Sequence, residues 1–285
     1  MNDVKLPVRK IVLSIIVAAL MAAALLGVID KQGELYSNAA FKRALITFGI
    51  ARGLNGVISV AQGTEIALHP AGFGLNFTPG QILDPINDLV EQFSWIMLAS
   101  SASLGIQKVL LSISATLLVT SLLVILFSLY LVSLWRPALF SPGLRQFITS
   151  SAIIILFVRF SVPTVALASE GMYRYFLQDK YVESTSQLEN TQRNISMLSN
   201  EDQVSYQSGD EESLMDMAKR LFESASQKIA INSRIEKYQQ VATEATEHAI
   251  NLIVVFVIQT ILFPLLFLWV IYRALKLTWA KLLSV

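Results

Sequence analysis

The 285-residue chain contains no cysteine. That excludes disulfides, thiolate nucleophiles, iron–sulfur clusters and cysteine-based zinc sites. It has two histidines, His69 and His248, far apart in sequence. His69 precedes Pro70 and reads as a loop residue. His248 has Glu244 one turn earlier and Glu247 beside it, which reads as a solvated helix face rather than a ligand set. No metal or cofactor is expected. Serine-hydrolase, zinc-protease, phosphate-loop and dinucleotide-binding motifs are all missing, and Gly72-Phe73-Gly74 is too short to count as one. The chain therefore reads as non-enzymatic. Charge is also scarce, at 15% of residues, against about 25% in ordinary soluble domains. The net charge is only +1, with no basic run interleaved by aromatics, so neither nucleic acid nor nucleotide is expected as a partner.

The charge deficit is local. Four stretches run almost uncharged: 11–28, 109–134, 148–169 and 250–272. A bilayer crossing needs about 20 apolar residues rising 1.5 Å each. Only a helix satisfies its own backbone in lipid without closing a barrel. These stretches read as four spans. The first has a basic lead (Lys5, Arg9, Lys10) and the small residues Ala22-Ala23-Ala24, as a signal peptide would. Its apolar run is long for that purpose, so it reads as an uncleaved anchor. Residues 93–106 are apolar but short, and read as a helix leading into the second span or lying at the membrane surface, with Lys108 snorkelling to the interface.

Lysine and arginine set the direction. With the N-terminus 1–10 in the cytoplasm, that side also holds the loop 135–147 and the tail 273–285. Lys5, Arg9, Lys10, Arg136, Arg145, Arg273, Lys276 and Lys281 then face one acid, Asp3. The other side holds 29–108, with five basic and six acidic residues, and 170–249, with eight and fourteen. The expected location is a bacterial inner membrane with both termini in the cytoplasm.

The two outer segments differ. Residues 35–54 carry apolar positions at helical spacing. Residues 56–83 are Gly/Pro-rich and alternate in Glu65–His69 and Phe73–Phe77, which predicts a small strand pair or a compact loop. Asp84-Pro85 reads as the cap and first residue of a helix over 85–108. Residues 170–249 are polar and helical, with a break near 199–210. Ile231, Ile235, Tyr238, Ala242, Ala245, Ala249 and Leu252 repeat at spacings of three and four, a heptad seam. This predicts an antiparallel, coiled-coil-like hairpin. The same seam is equally what self-association requires.

Arg159 is the residue most in need of a partner. It falls near the middle of the third predicted span, and no other predicted span contains an acid. Pro163 leaves the Arg159 carbonyl without its helical donor, and Pro264 does the same for Thr260 beside Gln259. Those carbonyls and the glutamine oxygen are one way to satisfy the guanidinium. Lipid phosphates reached through a local defect, an acid from a partner protein or another copy, and a bound or permeating anion are the others.

The expected fold is an all-α membrane protein: a four-span helical bundle, an extramembrane antiparallel helical hairpin and a small Gly/Pro-rich subdomain with a β element. Membrane lipid is an expected partner, with either a second copy or another membrane protein. The foremost reading is a membrane subunit or scaffold that oligomerises or docks through the hairpin. A channel or transporter built on Arg159, Gln259 and proline-broken helices, and a sensor with an outer helical domain, are the alternatives.

Overall fold

The computed structural model describes the backbone of residues 8–62, 66–68, 75–77, 80–204 and 216–283, and the side chains of 8–62, 83–199, 236–274 and 276. Helices make up nearly all of it. In chain order they are α1 (Val8–Leu26), α2 (Val28–Gln62), α3 (Gly80–Ser114), α4 (Leu117–Trp135), α5 (Pro142–Met172), α6 (Gln178–Val204), α7 (Asp216–Val257) and α8 (Phe263–Leu283). Between α2 and α3, strands β1 (Ile66–Leu68) and β2 (Leu75–Phe77) pair antiparallel, with Ile66 opposite Phe77 and Leu68 opposite Leu75. His69 and the glycines at 72 and 74 lie outside the described residues. Among the described residues six helical stretches are long and apolar enough to cross a membrane by length and composition: Val8–Leu26, Val28–Gln62, Leu83–Ser114, Leu117–Trp135, Pro142–Ser199 and Glu236–Ala274.

Several element boundaries differ from the sequence reading, each for a local reason. The apolar stretch 109–134 is two helices, because α3 ends at Ser114 and Thr116 caps α4, accepting from the Val119 N–H. The helix read over 35–54 extends to Val28–Gln62. The helix read from Pro85 begins at Gly80, with Pro85 inside it. Asp84 accepts a hydrogen bond from Gln62 Nε2 at 2.8 Å, tying α3 to α2. The last stretch is interrupted by a π-turn at Ile258–Leu262. A second π-turn, Tyr173–Leu177, joins α5 to α6.

The chain divides into two compact units. The first comprises Met1–Lys42, Ala102–Phe176 and Ile258–Val285. Its apolar core is built from Val17 and Ala24 of α1, Val119, Leu123 and Phe127 of α4, and Ala152 and Ile155 of α5. Many of its other large apolar side chains point outward, among them Ile15, Leu117, Leu118, Phe147, Leu265 and Trp269.

The second unit comprises Arg43–Ser101 and Leu177–Val257. Each of its four helices buries one seam. In α2 it is Ala44, Thr47, Ala51, Leu54, Ile58 and Ala61; in α3, Leu83, Ile86, Val90, Phe93, Met97 and Ser100. In α6 it is Tyr181, Ser184, Leu188, Thr191, Ile195 and Ser199; in α7, Tyr238, Val241, Ala245, Ala249, Leu252 and Val255. The spacings are almost all three and four, the repeat that keeps one stripe of a helix facing its neighbours. Helices α6 and α7 pack along each other most extensively, with Ser184 beside His248 at 3.4 Å and Tyr181 edge-on to Phe256. Small side chains at Ser184, Ala245 and Ala249 permit that close approach, since interaxial distance follows side-chain size.

Of the seam residues read from the sequence, Tyr238 and Ala245 are buried, while Ala242 is only half-buried. Val241 takes the place assigned to Ala242, because the helix buries 238, 241 and 245 in succession. The side chains of Ile231 and Ile235 lie outside the described residues. Leu252, Val255 and Phe256, read as the start of a span, belong to the second unit's core. Hydropathy does not distinguish a side chain that faces lipid from one that faces protein.

Candidate functional site

The site is built where α1 gives way to α2. Gly27 takes a left-handed backbone, φ +61°, between Leu26 and Val28. A residue with a side chain is strained there, so glycine permits the turn. The break has two electrostatic consequences. It frees carbonyls in the last turn of α1, which carries the negative end of that helix dipole. It also opens α2 with a positive end, and Asp30 lies in that first turn.

Arg159 of α5 bridges both ends. Its Nη1 donates to Asp30 Oδ1 at 2.6 Å and its Nη2 to Asp30 Oδ2 at 2.5 Å. Nη2 also donates to the Ala24 carbonyl at 3.2 Å. The pair is a two-pronged fork, the strongest form of carboxylate recognition by arginine. Arg159 is 2% exposed and Asp30 17%. The guanidinium also stands 5.5 Å from the centre of the Phe160 ring. Its Nε has no hydrogen-bond partner, and neither does Ser161 Oγ.

Two expectations about Arg159 are thereby corrected. The chain does supply an acid for it, from the segment just past the first span, a position that counting charges within spans overlooks. The carbonyl it uses is Ala24, at the helix break, and not one freed by a proline. Gln259 is buried in the π-turn and makes no hydrogen bond to Arg159.

The prolines act differently from the sequence reading. Helix α5 continues unbroken through Pro163, where the Thr164 hydroxyl donates to the Phe160 carbonyl at 2.6 Å. At Pro264 the chain widens into the π-turn immediately before it, a common way to absorb a missing N–H. Pro163 instead serves close packing. A Cβ added at Gly33 would lie 3.4 Å from Pro163 Cα and 3.5 Å from Leu111, so α2 packs against α5 here at ordinary contact distance.

Next to this contact lies a cavity of about 320 Å³. Ser37, Ser103, Gln107 and Thr260 are its polar lining, and Val162, Leu265 and Leu268 are among its apolar walls. Pro264 lines it; Arg159 and Gln259 do not. One further ion pair was not legible in the sequence: Arg174 Nε donates to buried Glu170 Oε1 at 2.9 Å while its guanidinium faces the Tyr36 ring. Among the described residues no group of three or more His, Asp or Glu is placed to hold a metal.

Comparison with protein-family models, with curated proteins and with solved structures finds no match to this chain.

Proposed function

We propose that this chain is a non-enzymatic membrane scaffold: a four-span anchor carrying an outer helical bundle that docks a partner. Four spans fit better than six. Charges recur along both helices, at Asp30, Lys31, Glu34, Lys42, Arg43 and Arg52 in α2 and at Asp84, Asp88, Glu91 and Lys108 in α3, and each is costly in hydrocarbon. The apolar residues of those helices within the second unit are instead used in its heptad seams. The first unit is the part in lipid, with α1, α4, the first half of α5 and α8 crossing an inner membrane and both termini inside.

The observation that carries the docking reading is the surface of the second unit. Over the described residues its seams are buried within the chain, so self-association through α7 between Tyr238 and Val255 is disfavoured. Yet Trp95, at 59% exposure, and Leu98 one turn later on α3 are exposed, as are Leu45 and Ile46 on α2. Trp95 and Leu98, one turn apart on the same helix face, are the part of that surface best placed to meet a partner. The channel reading is weaker, because Arg159 carries its own counter-ion and does not line the cavity beside Gly33 and Pro163.

The test is purification in mild detergent with a photo-crosslinker at Trp95 or Leu98. A stoichiometric adduct, with a partner protein or a second copy, is expected, and Trp95→Glu should abolish it. A lone monomer giving no adduct at either position would sink the proposal.

A further inference from the structure

The far end of the first unit from Asp30 holds a second, open cavity of about 450 Å³. It forms where the start of α1, the end of α4 and the start of α5 meet. Arg9, Lys10 and Arg145 line it, together with Tyr130, Ser133 and Gln146. Three cations thus converge on one space, and among the described residues no acid lines it. None of the three forms an ion pair among the described residues. Of the described acids of this unit, Asp30 and Glu34 are on α2, which does not line it, and Glu170 is at the opposite end of α5. Like charges gathered without a counter-ion raise one another's energy, and an anion relieves that. The start of α5 adds the positive end of a 31-residue helix.

The chemistry of the walls narrows the ligand. Arginine forks match the oxygens of a phosphate, and lysine adds a point charge. Around the cations the surface is apolar and outward-facing: Val8, Val12, Leu139 and Phe147 are all exposed. A free anion has no use for such surroundings, whereas a lipid carries its phosphate directly above hydrocarbon. We propose that this cavity binds the phosphate headgroup of an anionic phospholipid, its acyl chains lying on the exposed apolar faces of α1 and α5. Basic pockets between spans at a membrane surface recognise headgroups in this way.

The full chain in nanodiscs of mixed anionic and zwitterionic phospholipid, released for native mass spectrometry, tests this. The wild type should retain anionic lipid in preference to zwitterionic. Arg145→Gln and the double change Arg9→Gln with Lys10→Gln should weaken retention about fivefold for each charge removed. Arg145→Lys should keep most of it, and a helical circular-dichroism spectrum shows that each variant is folded. Arg136→Gln with Arg273→Gln, basic residues that do not line the cavity, should change little. Equal loss in that control means generic surface attraction and overturns the site, as does retention unaffected by the cavity variants. Displacement of the lipid by millimolar inorganic phosphate means that the cavity takes free phosphate, and overturns the lipid assignment.

Discussion

Arg159 and Asp30, 129 residues apart, form a two-pronged ion pair across the break between the first two helices. The carboxylate sits at the positive end of α2, and the guanidinium also holds the negative end of α1 through Ala24. Each charge is thus placed where a helix dipole favours it. Arg159 is level with the end of α1, which for a 19-residue helix is about 28 Å from its start. In the proposed orientation the pair therefore lies near the outer edge of the hydrocarbon, not at its middle, where charge is most costly.

Removing one member of the pair leaves the other buried and uncompensated. Arg159→Leu or Asp30→Leu should each cost about 3 kcal/mol. The double substitution should recover much of that, since an apolar pair carries no desolvation penalty. Unfolding of the detergent-solubilised chain by increasing SDS, followed by circular dichroism, measures all three. Additive losses would mean the two residues do not act as a pair.

Gly27 is needed for its backbone and not for space. An added Cβ would meet only Asp30 Oδ2, at an ordinary 3.6 Å. Gly27→Ala should still destabilise by about 1–2 kcal/mol, the cost of a left-handed conformation. Gly27→Asn, which tolerates that conformation better, should cost less in the same assay. Equal costs for Ala and Asn would point to packing instead.

The α6–α7 seam should respond to volume in both directions. Leu188 is fully buried, and Leu188→Ala should cost about 3 kcal/mol through lost contacts and a cavity. Ala245 is also fully buried, and Ala245→Leu should cost about 1–3 kcal/mol by forcing the helices apart. Ala242→Leu, half-buried one position from Val241, should be nearly neutral. Thermal melts of the three variants rank them, and a large loss at Ala242 would contradict the register described above.

Topology can be read directly, because the chain has no native cysteine. Leu139 and Val182 are both exposed, at 67% and 56%. In spheroplasts, an impermeant maleimide should label Val182→Cys and leave Leu139→Cys unlabelled until the membrane is opened. Labelling of both before opening, or the reverse order, would refute the proposed orientation.

How far the sequence alone reaches varies by feature. The α7 seam was visible because its apolar residues stand out in a polar helix, although Val241 and Ala242 were interchanged. The matching seam of α6 was hidden, since Ser184, Thr191 and Ser199 occupy three of its positions and read as surface. Small hydroxyl residues suit a close helix pair, but composition does not mark them as interior. The short strand pair was foreshadowed by alternation between glycines and prolines. Glu170–Arg174 sits at ordinary helical spacing, and nothing in the sequence indicates that Glu170 is buried.

The amino-acid order by itself determined which stretches are apolar, that they are helical, and that the chain offers neither thiol nor recognisable catalytic motif. Those properties belong to single residues and near neighbours, so they need no partner to be read. Tertiary structure decided which apolar faces turn toward protein: Leu252, Val255 and Phe256 are as apolar as any lipid-facing residue but are buried against other helices. It also decided that Arg159 meets Asp30, because only the bend at Gly27 and the packing of α5 bring those two charges together.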